Sequence, residues 1–199
     1  MTEPGETRNR EARRRAILAA AVEAFAEQGF FASRTRDIAA RAGVAEGTIY
    51  LYFDGKDDLL LSAFREKVSE FVEAAKSLLT SPLPFPERLL RFIEMQFESI
   101  ESDPALATVL LLESRQSTKF YGGAVRDVLR TYAGAIDDLL ASGVATGAVR
   151  SDADLPITRR MLIGALEEVE LDWLLSERSW RLTSLAPRLA ATLYRGLEP

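Results

Sequence analysis

Apolar residues recur at helical spacing along nearly the whole chain. Over 11–28, Ile17, Ala21, Val22, Ala24 and Phe25 share a face, and Gly29 supplies a C-terminal stop. A short helix is expected over 34–42, with Ser33 as its N-cap and Ile38 and Ala39 facing inward. Gly43-Val44 breaks it, and 45–52 reads as a second short helix. Asp54-Gly55 is a turn signal, after which 56–80 forms a long amphipathic helix carrying Leu59, Leu60, Ala63, Phe64, Val68 and Phe71.

The stretch from Pro82 to Pro86 cannot continue that helix, because three prolines remove backbone donors. It is the expected hinge. Beyond it, 86–102 presents Leu89, Ile93, Gln96, Phe97 and Ile100 as one stripe. Further helices are expected from Pro104 to about 117 and over 121–146, 155–178 and 183–197. Nothing alternates with period two over a useful length, and no internal repeat is visible. The pattern predicts an all-α chain of about nine helices: an N-terminal three-helix domain with a helix-turn-helix, and a C-terminal helical domain.

Composition narrows the chemistry. The chain has 199 residues and neither Cys nor His. That excludes thiolate metal sites, Cys nucleophiles and Ser-His-Asp catalysis. Paired carboxylates such as Glu167 and Glu170 remain, but such clusters are commonly solvated helix-surface charge. No enzyme, metal or cofactor is therefore expected. No apolar run approaches the ~20 residues of a membrane span, and the polar N-terminus lacks a signal-peptide core. The expectation is a soluble cytoplasmic protein with no membrane partner.

Net charge is −5, unevenly placed. Residues 1–56 carry 9 Lys and Arg against 8 Asp and Glu, and the remainder 16 against 22. Arg8, Arg10, Arg13, Arg14 and Arg15 crowd one short stretch, the first two of them within an expected basic arm over 1–12. Such a run is either a solvated face or a polyanion contact.

The segment from Arg36 to Phe53 decides in favour of nucleic acid. Two short helices joined through Gly43 make a helix-turn-helix whose second helix can enter a major groove ~12 Å wide. Gly47 and Thr48 open that helix, where a backbone and a small hydroxyl can approach DNA closely. Tyr50 and Tyr52 can place phenolic hydroxyls at phosphates, and Lys56 adds a charge after the turn. Ile38, Ala42, Val44, Ile49 and Phe53 pack a small core. An exposed Gly-Thr-x-Tyr-x-Tyr serves no such purpose.

These residues, from Gly29-Phe30 through DIAARAGVAEGTIYLYFDGKDDLL, closely resemble the DNA-binding domain of the TetR family of transcriptional regulators, over about Arg13 to Phe64. The resemblance implies a homodimer on a palindromic double-stranded operator, with a DNA-binding domain over 1–56 and a ligand-binding and dimerisation domain over 57–199. It places the recognition helix at about Glu46–Tyr52. Gly47, Thr48 and Tyr50 then fall at DNA-facing positions, and Tyr52 and Lys56 at phosphate contacts. Two departures add candidates: Arg34 as a further phosphate contact, and Ala45, able to meet a thymine methyl. Arg36 and Glu46 complete the candidate set. Glu46 could accept from a cytosine amine or simply favour the helix dipole.

Two later segments, Leu111 to Thr118 and Gly164 to Trp173, resemble the ligand domains of TetR-type regulators of fatty-acid degradation. That likeness implies a repressor of fatty-acid metabolism genes released from DNA by long-chain acyl-coenzyme A. An acyl chain needs an apolar tunnel, for which Phe92, Met95, Leu112, Phe120, Tyr132, Leu166 and Trp173 are candidates. The coenzyme A phosphates need cations, for which Arg115, Lys119, Arg126 and Arg130 lie close together in sequence, with Gln116 a further candidate contact, although Arg115 with Gln116 could equally pair with Glu98, Glu113 or Glu168. A drug-like or lipophilic effector is the alternative, since Glu94, Glu98, Glu167, Glu168 and Glu170 could face a cation. Helices 155–178 and 183–197 are apolar on more than one face and are assigned to the homodimer.

Overall fold

The computed structural model describes residues 4–113 and 123–199. In chain order it contains α1 (Pro4–Gln28), α2 (Thr35–Arg41), α3 (Glu46–Ile49), α4 (Lys56–Leu79), α5 (Phe85–Ser102) and α6 (Pro104–Thr108). A π turn over Val109–Glu113 follows, then α7 (Gly123–Ala145), α8 (Leu155–Leu175), a 3-10 turn over Leu182–Leu185 and α9 (Ala186–Arg195). These are nine α-helices and no strand among the described residues, and the all-α expectation holds. The chain divides into two compact units. One comprises Met1–Glu66 with Ala105–Arg126, the other Lys67–Pro104 with Asp127–Pro199.

In the first unit, α1 starts earlier than the apolar pattern suggests. Residues 4–10, expected to precede the helix, belong to it. Pro4 suits a first turn because its missing N–H would be an orphan there anyway, and the following Glu and Arg are good helix formers. Gly29, at φ 80°, ends α1 with its N–H on the Phe25 carbonyl at 2.9 Å. Ser33 does not cap α2. Its buried hydroxyl donates instead to the carbonyls of Ala24 (3.0 Å) and Gly29 (2.8 Å), so it finishes α1. The cap of α2 is Arg34, with an extended backbone and no side-chain hydrogen bond. Gly43 takes the left-handed φ of 67° that turns the chain toward α3, and Val44 N–H closes α2 on the Ala39 carbonyl at 3.0 Å. Ile17, Phe25, Ile38, Ile49, Leu59 and Leu60 form the core, which Leu106, Val109 and Val125 extend. Arg41 on α2 grips Glu23 and Glu27 of α1 and holds the Glu27 carboxyl below the usual range.

In the second unit, Leu89, Phe92, Ile93 and Phe97 bury one face of α5, which packs against α8, α9 and the 3-10 turn. Asp154 caps α8, accepting from Ile157 N–H at 3.1 Å. The helix stops at Leu175 rather than 178, because Glu177 and Arg178 turn to φ 56° and 58°. Trp173 fastens this end, its indole N–H donating to the Trp180 carbonyl at 2.7 Å. The helix expected over 183–197 opens as the 3-10 turn. Glu101 of α5 caps that turn, accepting from Thr183 N–H and hydroxyl at 3.2 Å each. Arg88 is 5% exposed near the C-terminal end of α7, donating to Ser142 Oγ at 3.0 Å. A cation is favourable there because carbonyl dipoles converge.

Candidate functional site

The exposed side of the helix-turn-helix collects most of the candidates named above. Arg34, Arg36, Ala45, Glu46, Gly47 and Tyr50 are exposed, and Thr48 is half-buried, along a strip from the start of α2 through α3. A Cβ added at Gly47 would meet nothing within 4 Å. Packing therefore does not demand glycine at that point, but close backbone approach by a ligand would. Ala45 precedes α3 with an extended backbone, and its carbonyl accepts from Thr48 N–H at 2.8 Å. α3 is shorter than 46–52. It ends at Ile49, whose side chain anchors it in the core, and Tyr52 N–H closes the turn on the Ile49 carbonyl at 2.9 Å.

A residue absent from the sequence reading organises this strip. Thr35 Oγ1 donates to Glu46 Oε1 at 2.7 Å and lies 3.3 Å from the Tyr50 hydroxyl. Glu46 is thus engaged by a neighbour on α2. Arg36 pairs with Asp37 at 3.3 Å. Tyr52 is half-buried, and the Arg10 guanidinium of α1 lies over its ring at 5.9 Å from the centroid. Lys56 has a structural attachment. Its ammonium donates to the Phe31 and Ser33 carbonyls at 3.2 Å each and sits 4.5 Å from the Phe30 ring centroid. Burial lowers its pKa from the ordinary lysine value, opposed by the neighbouring Asp57 carboxylate.

The second unit brings together Phe92 and Tyr132. Phe71 of α4 bridges them, edge-on to Phe92 at 5.2 Å and tilted against Tyr132 at 5.7 Å. Leu166 and Trp173 are buried in the same unit and Met95 is half-buried. At the centre, Gln96 Nε2 donates to Glu170 Oε1 at 3.0 Å. Glu170 is 1% exposed, and desolvation pushes its carboxyl up to about 8. Burial, reinforced by Glu170 and Glu167, raises the Tyr132 phenol well above 10. Arg130 is exposed and paired with Asp127 at 2.8 Å. Leu112, half-buried, and Arg126, exposed, belong to the first unit. Arg115, Gln116, Lys119 and Phe120 lie outside the described residues.

A cleft of about 190 Å³ opens along α8 and α9, walled by Leu89, Leu140, Met161, Leu162, Leu193 and Leu197, with Arg150 and Asp154 among its lining residues. Beside it Ile157 and Met161 are 49% and 61% exposed. Among the described residues no group of three Asp or Glu side chains could hold a metal, and no helix is long and apolar enough to cross a membrane.

Comparison with known proteins covers nearly the whole chain. Residues 17–63 match the family described as bacterial regulatory proteins, tetR family, and residues 64–196 match the YsiA-like protein C-terminal region. The fatty acid metabolism regulator protein of Bacillus subtilis is 33% identical over 182 residues, which cover 92% of this chain and 94% of that one. The fatty acid degradation regulator FadR of Bacillus halodurans superposes with a TM-score of 0.88 at 34% identity, covering 99% of this chain and 98% of that one. The Bacillus subtilis FadR structure in complex with stearoyl-CoA superposes with a TM-score of 0.86 at 33% identity, covering 92% and 98%.

Proposed function

Since the chain belongs to the TetR family of bacterial transcriptional regulators, we propose that it is a dimeric repressor of fatty-acid metabolism genes that long-chain acyl-coenzyme A releases from its operator. The family and its relatives are regulators of transcription, not enzymes. The observation that carries the reading is its whole-length likeness to a regulator solved with stearoyl-CoA. In this reading residues 1–56 bind DNA and 57–199 bind effector and partner, in the cytoplasm.

Arg34, Arg36, Tyr52 and Lys56 serve phosphates, which supply affinity but no sequence information. Ala45, Gly47, Thr48 and Tyr50 face the base edges, with Glu46 held by Thr35. Two such heads must meet half-sites one helical turn apart, so a ligand that favours a mis-spaced state releases the DNA. In this reading Phe92, Met95, Tyr132, Leu166 and Trp173 of the second unit serve the acyl chain, with Leu112 and Phe120 kept as candidates from the sequence. Arg115, Arg126 and Arg130 are the candidate cations for the coenzyme A phosphates, and Gln116 a neutral donor. Each buried methylene contributes ~0.8 kcal/mol, about fourfold in affinity, so chain length is read as Kd. A lipophilic cation would need an ionised carboxylate inside, whereas Glu170, with a pKa of about 8, is mostly protonated at pH 7.

The dimer forms through α8 and α9, whose exposed Ile157 and Met161 flank the apolar cleft. The test is calorimetric titration of the delipidated protein with lauroyl- and palmitoyl-coenzyme A, with free coenzyme A as control. Micromolar or tighter binding that requires the acyl chain, together with loss of DNA binding, supports the reading. Binding of neither acyl form leaves a TetR-type regulator of another effector.

A further inference from the structure

The five arginines near the start of the chain are not equivalent once α1 is in place. At 100° per residue, Arg14 and Arg13 lie about 40° and 60° from Arg10, on either side of it around the helix, whereas Arg8 and Arg15 lie about 160° and 140° away. Arg14 is turned inward. It pairs with Glu66, and its guanidinium lies 5.1 Å from the Phe53 ring centroid. Arg10, one turn earlier, is exposed and has no carboxylate partner among the described side chains. Its guanidinium lies over the Tyr52 ring, 5.9 Å from the centroid and within cation–π range, and Tyr52 itself packs against the core of the first unit. A guanidinium lying over a ring face, with no carboxylate on it, leaves N–H donors available in the fork that matches phosphate oxygens. The arrangement therefore sets a cation beside a phenol at the end of the recognition turn.

We propose that Arg10, held over the Tyr52 ring, is a backbone-phosphate contact, so that the DNA-binding surface runs from α3 onto the first turns of α1. The proposal rests on the DNA-binding reading above and extends it to a residue outside the helix-turn-helix. Arg10 and Tyr52 act as one clamp, the guanidinium supplying charge and the ring fixing its direction. Arg8 and Arg15, on the far side of α1, take no part. The helical form of residues 4–10 is what separates Arg10 from Arg8, because a flexible arm would present those two alike.

The experiment uses the full-length protein and two fluorescein-labelled 30-base-pair duplexes. One is selected from a random pool by the wild-type protein and the other is of unrelated sequence. Anisotropy titrations at several salt concentrations compare R10A, R10Q, R8A and R15A, with thermal melts confirming that each is folded. R10A and R10Q should flatten the plot of log affinity against log salt by about 0.9 for each protomer. Both should weaken the two duplexes by similar factors, since a phosphate contact carries no sequence preference. R8A and R15A should match the wild type. An unchanged slope in R10A and R10Q overturns the proposal, as does equal flattening in R8A and R15A, which would mean a diffuse field. Wild-type protein that binds neither duplex would overturn the DNA reading itself, and the clamp with it.

Discussion

Thr35 and Glu46, eleven residues apart in sequence, meet through a hydroxyl-to-carboxylate hydrogen bond of 2.7 Å that ties the first residue of α2 to the first residue of α3. The same hydroxyl lies 3.3 Å from the Tyr50 phenol. One small side chain thus restrains both a charge and a ring on the exposed strip. Removing it should loosen the recognition turn without unfolding the head, because an exposed hydrogen bond contributes only about 1 kcal/mol. T35A is expected to melt within a few degrees of the wild type and to bind its selected duplex several-fold more weakly, with an unchanged salt slope. T35S should restore affinity. Anisotropy titration and a melt suffice, and a T35A protein as tight as the wild type would show that the network does not position the turn.

Glu170 gives the second unit a pH dependence with a definite sign. Its carboxyl titrates at about 8 in the folded protein, against roughly 4.3 in an unfolded chain. Between those values the folded state binds more protons than the unfolded state, so its contribution to stability falls as pH rises toward 8. E170Q, which keeps a hydrogen-bonding partner for Gln96 and cannot ionise, should lose this component. Denaturant melts at pH 5.5 and 8.5 should show the wild type losing on the order of 3 kcal/mol more than E170Q over that interval. Parallel losses in both proteins would count against a neutral buried Glu170.

Two glycines of α7 should respond oppositely to alanine. A Cβ at Gly143 would lie 2.6 Å from Val149 Cγ2 and 2.7 Å from the Phe85 ring, both buried. G143A should therefore destabilise by about 1–3 kcal/mol through overpacking. At Gly134 a Cβ meets nothing within 4 Å, and mid-helix alanine should be neutral or stabilise by up to about 1 kcal/mol. Thermal denaturation of the two single variants decides it. Equal effects would mean that the close approach of α7 to Phe85 is not tight.

The proposed dimer makes a separable prediction. Ile157 and Met161 fall on one face of α8 at a four-residue interval, both exposed beside the apolar cleft. Carboxylates at these positions would be unpaired and desolvated at a two-fold contact, where each charge meets its like. The double variant I157E/M161E should elute as a folded monomer in light-scattering chromatography and lose high-affinity operator binding. A dimer that persists would move the interface elsewhere.

Much of the fold was legible in the chain because helical periodicity is a local signal. Gly29, Gly43 and Asp54-Gly55 mark their breaks, since a left-handed backbone or a tight turn constrains residue type directly. The structure departs from the pattern where a side chain finds another partner or the backbone turns without a glycine. Ser33 has the chemistry of an N-cap, but its hydroxyl is taken by the carbonyls of Ala24 and Gly29. The end of α8 falls short of 178 because Glu177 and Arg178 adopt left-handed φ values that neither residue type advertises. The exposed Gly47-Thr48-x-Tyr50 strip was readable because nothing in a small core explains it. Thr35 was not, because its role depends on a partner eleven residues away.

The sequence alone determined the helical class, the helix-turn-helix and the kind of chemistry open to the chain. Periodicity, turn residues and the absence of His and Cys act locally or by elimination. Tertiary structure decided which of several similar residues does what. Of the five arginines in one run, Arg14 became an inward partner of Glu66, Arg10 a cation over the Tyr52 ring, and Arg8 and Arg15 residues of the far side of α1. Among several acidic residues of α8, Glu170 alone is buried. Charge and hydrogen bonding act through space, and the neighbours that set a side chain's solvation and direction come from other helices.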